Sequence, residues 1–193
     1  MIRHLLIAGL VIGLSACGSS PKTHFYTLST SHLSDVHVEH SAAGVRIGVW
    51  RAKIPALLDR AEIVTRSGTH TVELADFHKW ADRLDYNVSR LIANELSKRL
   101  QTDNVMISPW SSYANNDYQV KLNIDRFDGE LGGEIVFRGS WSLLSGDGSK
   151  ELVREVFTYK AQADGITYSD MIAALSKLTV QLAENIANNI AAR

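Results

Sequence analysis

The chain has 193 residues, with 20 Lys plus Arg, 21 Asp plus Glu and one Cys, so its formal net charge is −1. This balance lacks the basic excess typical of nucleic-acid-binding proteins, and a hydrophobic content of 45% is too high for a disordered chain. A single Cys excludes an internal disulfide framework and a cysteine-rich zinc site, and the length fits one domain.

The first seventeen residues have the pattern of a secretory signal that ends at Cys17. Arg3 supplies a positive charge, and the apolar run Leu5–Leu14 follows it. As a helix this run spans about 15 Å, half of a bilayer core of about 30 Å, so it predicts a signal segment and not a membrane span. The tetrapeptide Leu14-Ser15-Ala16-Cys17 resembles a bacterial lipobox, in which the Cys is acylated and becomes the first residue.

We therefore predict a signal peptide over residues 1–16 and a lipidated Cys17 that carries diacylglycerol and an N-acyl chain such as palmitate. The alternative is a plain signal peptide with an incidental Cys. Gly18 follows Cys17 where an Asp would favour inner-membrane retention, so we expect the outer membrane and a domain that faces the periplasm. The tether, residues 17–22, has five residues beyond the Cys, which reach less than about 18 Å when extended. The folded domain, residues 23–193, should therefore sit against the membrane.

The first half of that domain is predicted to contain strands followed by a long helix. Strands are expected at Thr23–Leu28, Gly44–Lys53, Glu62–Arg66 and His70–Leu74. Ser67–Thr69 contains a Gly and predicts a hairpin turn between the last two. Apolar residues at steps of three and four predict that Ala75–Leu100 is mostly helical, with Glu95 and Arg99 on its solvent side.

The second half is predicted to be a β meander that ends in a helix. Strands are expected at Val105–Ile107, Tyr118–Asp125, Ile135–Leu143 and Leu152–Ala161, with turns at Asp128-Gly129, Gly132-Gly133 and Ser145–Gly148. Thr167–Asp170 is a helix-capping pattern, and an apolar stripe to Ile190 predicts a helix of roughly twenty residues. The order strands, helix, strands, helix indicates a single α/β or α+β domain, in which two main helices pack on a mixed or antiparallel sheet.

No catalytic or cofactor-binding motif is present. The sequence contains no GxSxG, P-loop, HExxH or GxGxxG pattern, so we expect no enzyme and no cofactor beyond the acyl chains. His32, His37 and His40 lie in a polar loop, Ser29–Gly44, without a Cys partner, which favours solvated histidines over a metal site.

Aromatic and charged residues supply the candidates for partner binding. Trp141 is in phase with Ile135 and Phe137 and is expected in the core. Trp50 is out of phase with the apolar face of its strand, so it is either core under a helix or part of an interface, where Trp is enriched. Arg126 and Asp128 are consistent with an ion pair at a strand end or with a partner-binding edge. The candidate partner-binding residues are Trp50, Arg60, Arg66, Arg126 and Asp128.

An ordered set of segments resembles one known family. After the lipobox these are Phe25–Leu28, Val45–Val49, Ile54–Arg60, Glu62–Arg66, Leu74–Ala81, Arg90–Leu96 and Tyr118–Gly129. Together they are similar to the ABC-type transport auxiliary lipoproteins, the PqiC- or YmbA-like group. The stretch Asp76-Phe77-His78 departs from a shorter Glu-Leu-His-like stretch that is frequent in the family.

The resemblance implies an outer-membrane lipoprotein that works with a periplasm-spanning protein of MCE domains and an inner-membrane component. Such systems move lipids between membranes and maintain envelope integrity. The implied fold resembles the TolB N-terminal and CsgG-like group, and a homo-oligomeric ring is a further hypothesis. Two alternatives stay open: a carrier that holds lipid in its own apolar pocket, and an activator of a cell-wall enzyme.

Overall fold

The computed structural model describes residues 21–30, 44–110 and 115–193, which form eight strands and two helices. The strands are β1 (His24–Tyr26), β2 (Ile47–Val49), β3 (Glu62–Arg66), β4 (Val72–Trp80), β5 (Val105–Ile107), β6 (Tyr118–Gly129), β7 (Glu134–Ser145) and β8 (Glu151–Gln162). The helices are α1 (Leu84–Leu100) and α2 (Tyr168–Ala191). Within the described ranges, neither helix is long and apolar enough to span a bilayer.

Two predicted features lie outside these ranges. The signal peptide with Cys17 precedes the described residues, and the loop that contains His32, His37 and His40 falls in the gap before residue 44. The signal peptide, the lipidation and the loop therefore stay predictions.

The larger sheet has five strands in the order β5-β2-β6-β7-β8. β2 runs parallel to β5 and β6, whereas β6, β7 and β8 form an antiparallel meander, so the sheet is mixed, which is one of the two predicted arrangements. In β6, Val120, Leu122 and Ile124 are buried, while Lys121 and Asn123 are exposed. The inner face therefore packs against the helices, and the outer face faces solvent.

The smaller sheet has three strands in the order β1-β4-β3. β1 runs parallel to β4, and β3 is antiparallel to it, so the domain has two sheets where one was expected. The helix predicted from Ala75 is wrong over Ala75–Trp80, because β4 continues to Trp80 between two partner strands. Trp80, Leu84 and Val88 are spaced by four residues, which is a helical spacing, so the pattern predicted a helix where the strand lies.

Helix α1 is covered on more of its surface than its apolar stripe indicates. Leu84, Val88 and Leu96 are buried as predicted. Glu95 was expected on the solvent side but is only 1% exposed. Its carboxylate is held by Lys98, whose Nζ lies 2.9 Å from Oε1. The prediction is wrong for Glu95 because α2 packs along α1 and covers part of its polar side.

Helix α2 begins as its sequence predicts. The Asp170 backbone N–H donates to Thr167 Oγ1 over 3.2 Å, and the Thr167 backbone N–H donates to Asp170 Oδ2 over 3.0 Å. This reciprocal pair is a capping box, which satisfies two of the donors that a helix start leaves free. The apolar stripe of α2 is buried from Met171 to Ile190.

A row of aromatic rings joins the two sheets inside the core. The Phe127 ring lies 6.4 Å from Trp80 and 4.9 Å from Phe137, centroid to centroid. Trp141 is 1% exposed, which confirms its predicted place in the core. The predicted turn at Asp128-Gly129 is wrong, because both residues complete β6. A Cβ at Gly129 would come within 2.5 Å of a β7 carbonyl oxygen, so this Gly permits a close strand approach and not a turn.

Candidate functional site

Trp50 lies directly after β2 and points to the outer face of the larger sheet. Its Nε1–H donates to Gln119 Oε1 over 2.8 Å, and its ring packs edge-on against Trp110 at 4.8 Å between centroids. The side chain is nevertheless 39% exposed. The indole is thus held in place with its polar atom satisfied and part of its surface open to a partner.

A basic groove extends from Trp50 across the outer face of the larger sheet. It has a volume of about 360 Å³ and is lined by four cationic side chains and one carboxylate, a net charge of +3. The cations are Arg51, Lys53, Lys121 and Arg154, and the carboxylate is Glu151. The whole chain has a net charge of −1, so positive charge is concentrated at this surface. We call it the Trp50 groove.

The register of the meander builds the groove. Lys121 on β6 pairs with Ser142 on β7, and Ser142 pairs with Arg154 on β8, so the three side chains form one row. The small serine leaves space between the two long cations. Lys121 Nζ also lies 5.3 Å from the Trp50 ring centroid, a cation–π distance.

The carboxylate in the groove is already engaged. Glu151 Oε2 accepts a hydrogen bond from Ser142 Oγ over 2.8 Å and lies 3.9 Å from Arg154 Nη1. Among the described residues, neither Lys53 nor Lys121 forms an ion pair with a carboxylate. The groove can therefore accept an anionic group from outside.

A second set of candidate residues meets where the two sheets join. Asp128 Oδ1 lies 2.9 Å from Arg66 Nε and 2.7 Å from Arg126 Nε, and both arginines donate to it. The Asp128 side chain is 2% exposed, against 23% for Arg66 and 28% for Arg126. This Arg–Asp–Arg cluster ties β3 to the end of β6, and its guanidinium groups still reach solvent.

The five candidate partner-binding residues therefore do not form one surface. Arg66, Arg126 and Asp128 lie together, whereas Trp50 belongs to its groove. Arg60 lines a separate cleft of about 410 Å³ beside Trp80, and its Nε is buried without a hydrogen-bond partner among the described residues. Their role in partner binding stays a prediction.

A cluster of rings that the sequence did not predict lies between β1, β4 and α2. His78 stacks on His24 at 5.4 Å and on Tyr168 at 3.9 Å, centroid to centroid, and its Nδ1 lies 2.7 Å from the Tyr26 hydroxyl oxygen. Burial lowers the pKa of His78, and the neighbouring His24 lowers it further. His24 and His78 are 54 residues apart, so no local pattern could have linked them.

No metal centre is evident in the part of the chain that the structure describes. Across residues 21–30, 44–110 and 115–193, no three His, Cys, Asp or Glu side chains converge in a way that would bind a metal ion.

Solved structures show which class of fold this is. An uncharacterized protein matches with a TM-score of 0.71 at 18% identity, over 88% of this chain and 99% of its own. A Xanthomonas campestris protein of the DUF330 family matches with a TM-score of 0.70 at 13% identity, over 88% of this chain and 95% of its own. At these identities the likeness shows the fold alone. Among curated proteins, no significant match to this chain was found.

The family is shown by its own sequence model. The family described as ABC-type transport auxiliary lipoprotein component matches residues 26–187, which is most of the chain. This chain therefore belongs to that family, and the resemblance drawn from its ordered segments is confirmed. The description makes it a membrane-associated lipoprotein of a transport system.

Proposed function

We propose that this chain is the outer-membrane subunit of an MCE-type intermembrane lipid transport system. Lipid-anchored through Cys17 and facing the periplasm, it would dock the periplasm-spanning MCE-domain protein, which also contacts an inner-membrane component. The protein would thereby support envelope integrity without being an enzyme. Membership of the auxiliary lipoprotein family supports this role.

We propose the Trp50 groove as the docking surface. A half-exposed Trp fixed by its neighbours is the type of residue that dominates interface energetics. The net charge of +3 around it selects a partner segment that carries carboxylates, because complementary charge steers association and suppresses wrong partners. The proposal rests on one observation: an anchored Trp lies on an open face beside Lys53 and Lys121, which form no ion pair with a carboxylate in the described ranges.

Site-specific photo-cross-linking in cells tests the docking surface. p-Benzoylphenylalanine at position 50 should capture an MCE-domain protein, whereas the same residue at position 181 should not. Gln181 is exposed on α2, which covers the inner face of the sheet, so it lies on the other side of the domain. Equal capture at positions 50 and 181 would reject the groove as the docking surface.

A charge-reversal pair sharpens the test. Lys121→Glu in the groove should reduce capture at position 50, while Lys177→Glu, on the exposed side of α2, should leave it unchanged. Both variants change the net charge by the same amount, so a difference in capture between them depends on where the charge lies. Capture of a cell-wall synthase in place of an MCE protein would favour the activator function, and lipid that co-purifies in stoichiometric amount would favour the carrier.

A further inference from the structure

Two phenylalanines are exposed on adjoining strands of the smaller sheet. Phe25 on β1 is 66% exposed, and Phe77 on β4 is 40% exposed. Phe25 pairs with Lys79, and Phe77 precedes Lys79 by two residues on the same strand, so the rings lie on adjoining strands close in register. Exposed aromatic side chains that adjoin each other indicate a contact surface.

The Phe25 ring points away from the folded interior. His24, Tyr26 and His78 contact one another on the side that faces α2. Successive side chains alternate across a strand, so Phe25, between His24 and Tyr26, lies on the opposite side. Within the described residues, the outer side of β1 is therefore uncovered.

The position of β1 in the chain identifies the occupant. His24 follows Cys17 by seven residues, which reach at most about 25 Å when extended. A compact domain of this length has a radius of gyration of about 15 Å and so a diameter of about 40 Å. The tether is shorter than the domain is wide, so β1 must be on the side nearest to an anchor at Cys17.

The charges beside the rings fit a phospholipid surface. Lys22 is exposed just before β1. Lys79 lies beside Phe25, and its side chain is partly exposed. Its Nζ is 3.2 Å from Glu62 Oε1. Aromatic rings flanked by cationic side chains suit the interfacial zone, where apolar groups meet phosphate head groups.

We infer that the Phe25–Phe77 surface lies in the interfacial zone of the membrane that holds the acyl chains of Cys17. This inference rests on the lipid anchor of the proposed function. Acyl chains alone would let the domain rotate about its tether, whereas two inserted rings on adjoining strands fix its tilt. The contact thus determines which surfaces of the domain face the periplasm.

Single-cysteine labelling of the full-length lipidated protein tests the inference. Acylation occupies the thiol of Cys17, the one native Cys, so Phe25→Cys, Phe77→Cys or Val156→Cys supplies a unique thiol. Each variant is labelled with an environment-sensitive dye and reconstituted into vesicles of phosphatidylethanolamine and phosphatidylglycerol that contain doxyl lipids. Val156 is the matched control, because it is 78% exposed and lies on edge strand β8 of the other sheet.

The expected result is a shift of dye emission to shorter wavelength and a loss of intensity to the doxyl groups at positions 25 and 77, with neither at position 156. Emission at positions 25 and 77 that matches position 156, from protein that floats with the vesicles, would overturn the inference. Protein that carries no acyl chains by mass spectrometry and does not float would instead refute the anchor of the proposed function. The two failures are therefore distinguishable.

Discussion

The Arg66–Asp128–Arg126 cluster makes a quantitative prediction about stability. Asp128→Ala removes a carboxylate that is 2% exposed and accepts from two arginines at 2.9 and 2.7 Å. The substitution removes two charge-assisted hydrogen bonds and leaves two guanidinium groups facing each other without a counter-charge. The strand end at β6 loses its link to β3 as well.

The magnitude follows from the burial of the three groups. Breaking a buried ion pair costs about 3–5 kcal/mol, mainly because it leaves an uncompensated charge in a site of low dielectric. Here the arginine side chains are 23% and 28% exposed, so water screens part of that penalty. We therefore expect a loss of about 2–4 kcal/mol for Asp128→Ala, which lowers Tm by about 6–12 °C in a domain of this size.

Urea unfolding followed by circular dichroism measures this loss, with Asp76→Ala as the control. Asp76 is exposed on β4 and forms no ion pair among the described residues, so its substitution should change the free energy of unfolding by less than about 0.5 kcal/mol. A triple variant with Arg66→Met, Asp128→Leu and Arg126→Met should recover part of the loss, because no charge is then left unpaired. A loss at Asp128 no larger than at Asp76, or a triple variant less stable than Asp128→Ala, would refute the reasoning.

Two further predictions concern the α2 start and the ring cluster. Thr167→Ala should destabilise the protein by about 1 kcal/mol in thermal melts, because the helix loses its capping hydroxyl, while Ser169→Ala should have little effect. The pKa of His78 is lowered in the folded state by burial and by His24, so the unfolded state takes up a proton first as the pH falls below about 6.5. Stability should therefore fall between pH 7 and pH 5, and His78→Phe should flatten that slope in urea midpoints; an unchanged slope would contradict the assignment.

The local sequence pattern predicted an element correctly where the segment packs against one layer. The period-two alternation of Val120, Leu122 and Ile124 predicted β6, since one face of that strand is core and the other is solvent. The cap at Thr167 predicted the start of α2, because capping depends only on residues within one turn.

The local sequence pattern did not predict the structure where segments distant in the chain meet. β4 pairs with β1 across more than fifty residues, and that pairing holds Ala75–Trp80 extended despite a helical spacing of apolar residues. Arg66 and Asp128 are 62 residues apart, so their contact depends on how β3 meets β6 and not on either segment. The solvent exposure of a polar residue on a helix is equally non-local, because Glu95 was expected on the solvent side and α2 covers it.

The Trp50 groove shows why a binding surface can be read only in part from such a sequence. Alternation placed Trp50 on the outer side of its strand, but the charge of the groove depends on strand register. Lys121, Ser142 and Arg154 align because β6, β7 and β8 pair in that register. A slip of one residue in β8 would move Arg154 to the inner face, where a cation could not be buried at acceptable cost. The hydrophobic face that stabilises the meander therefore also fixes the basic row on its other side, so a substitution that shifts the register would remove both together.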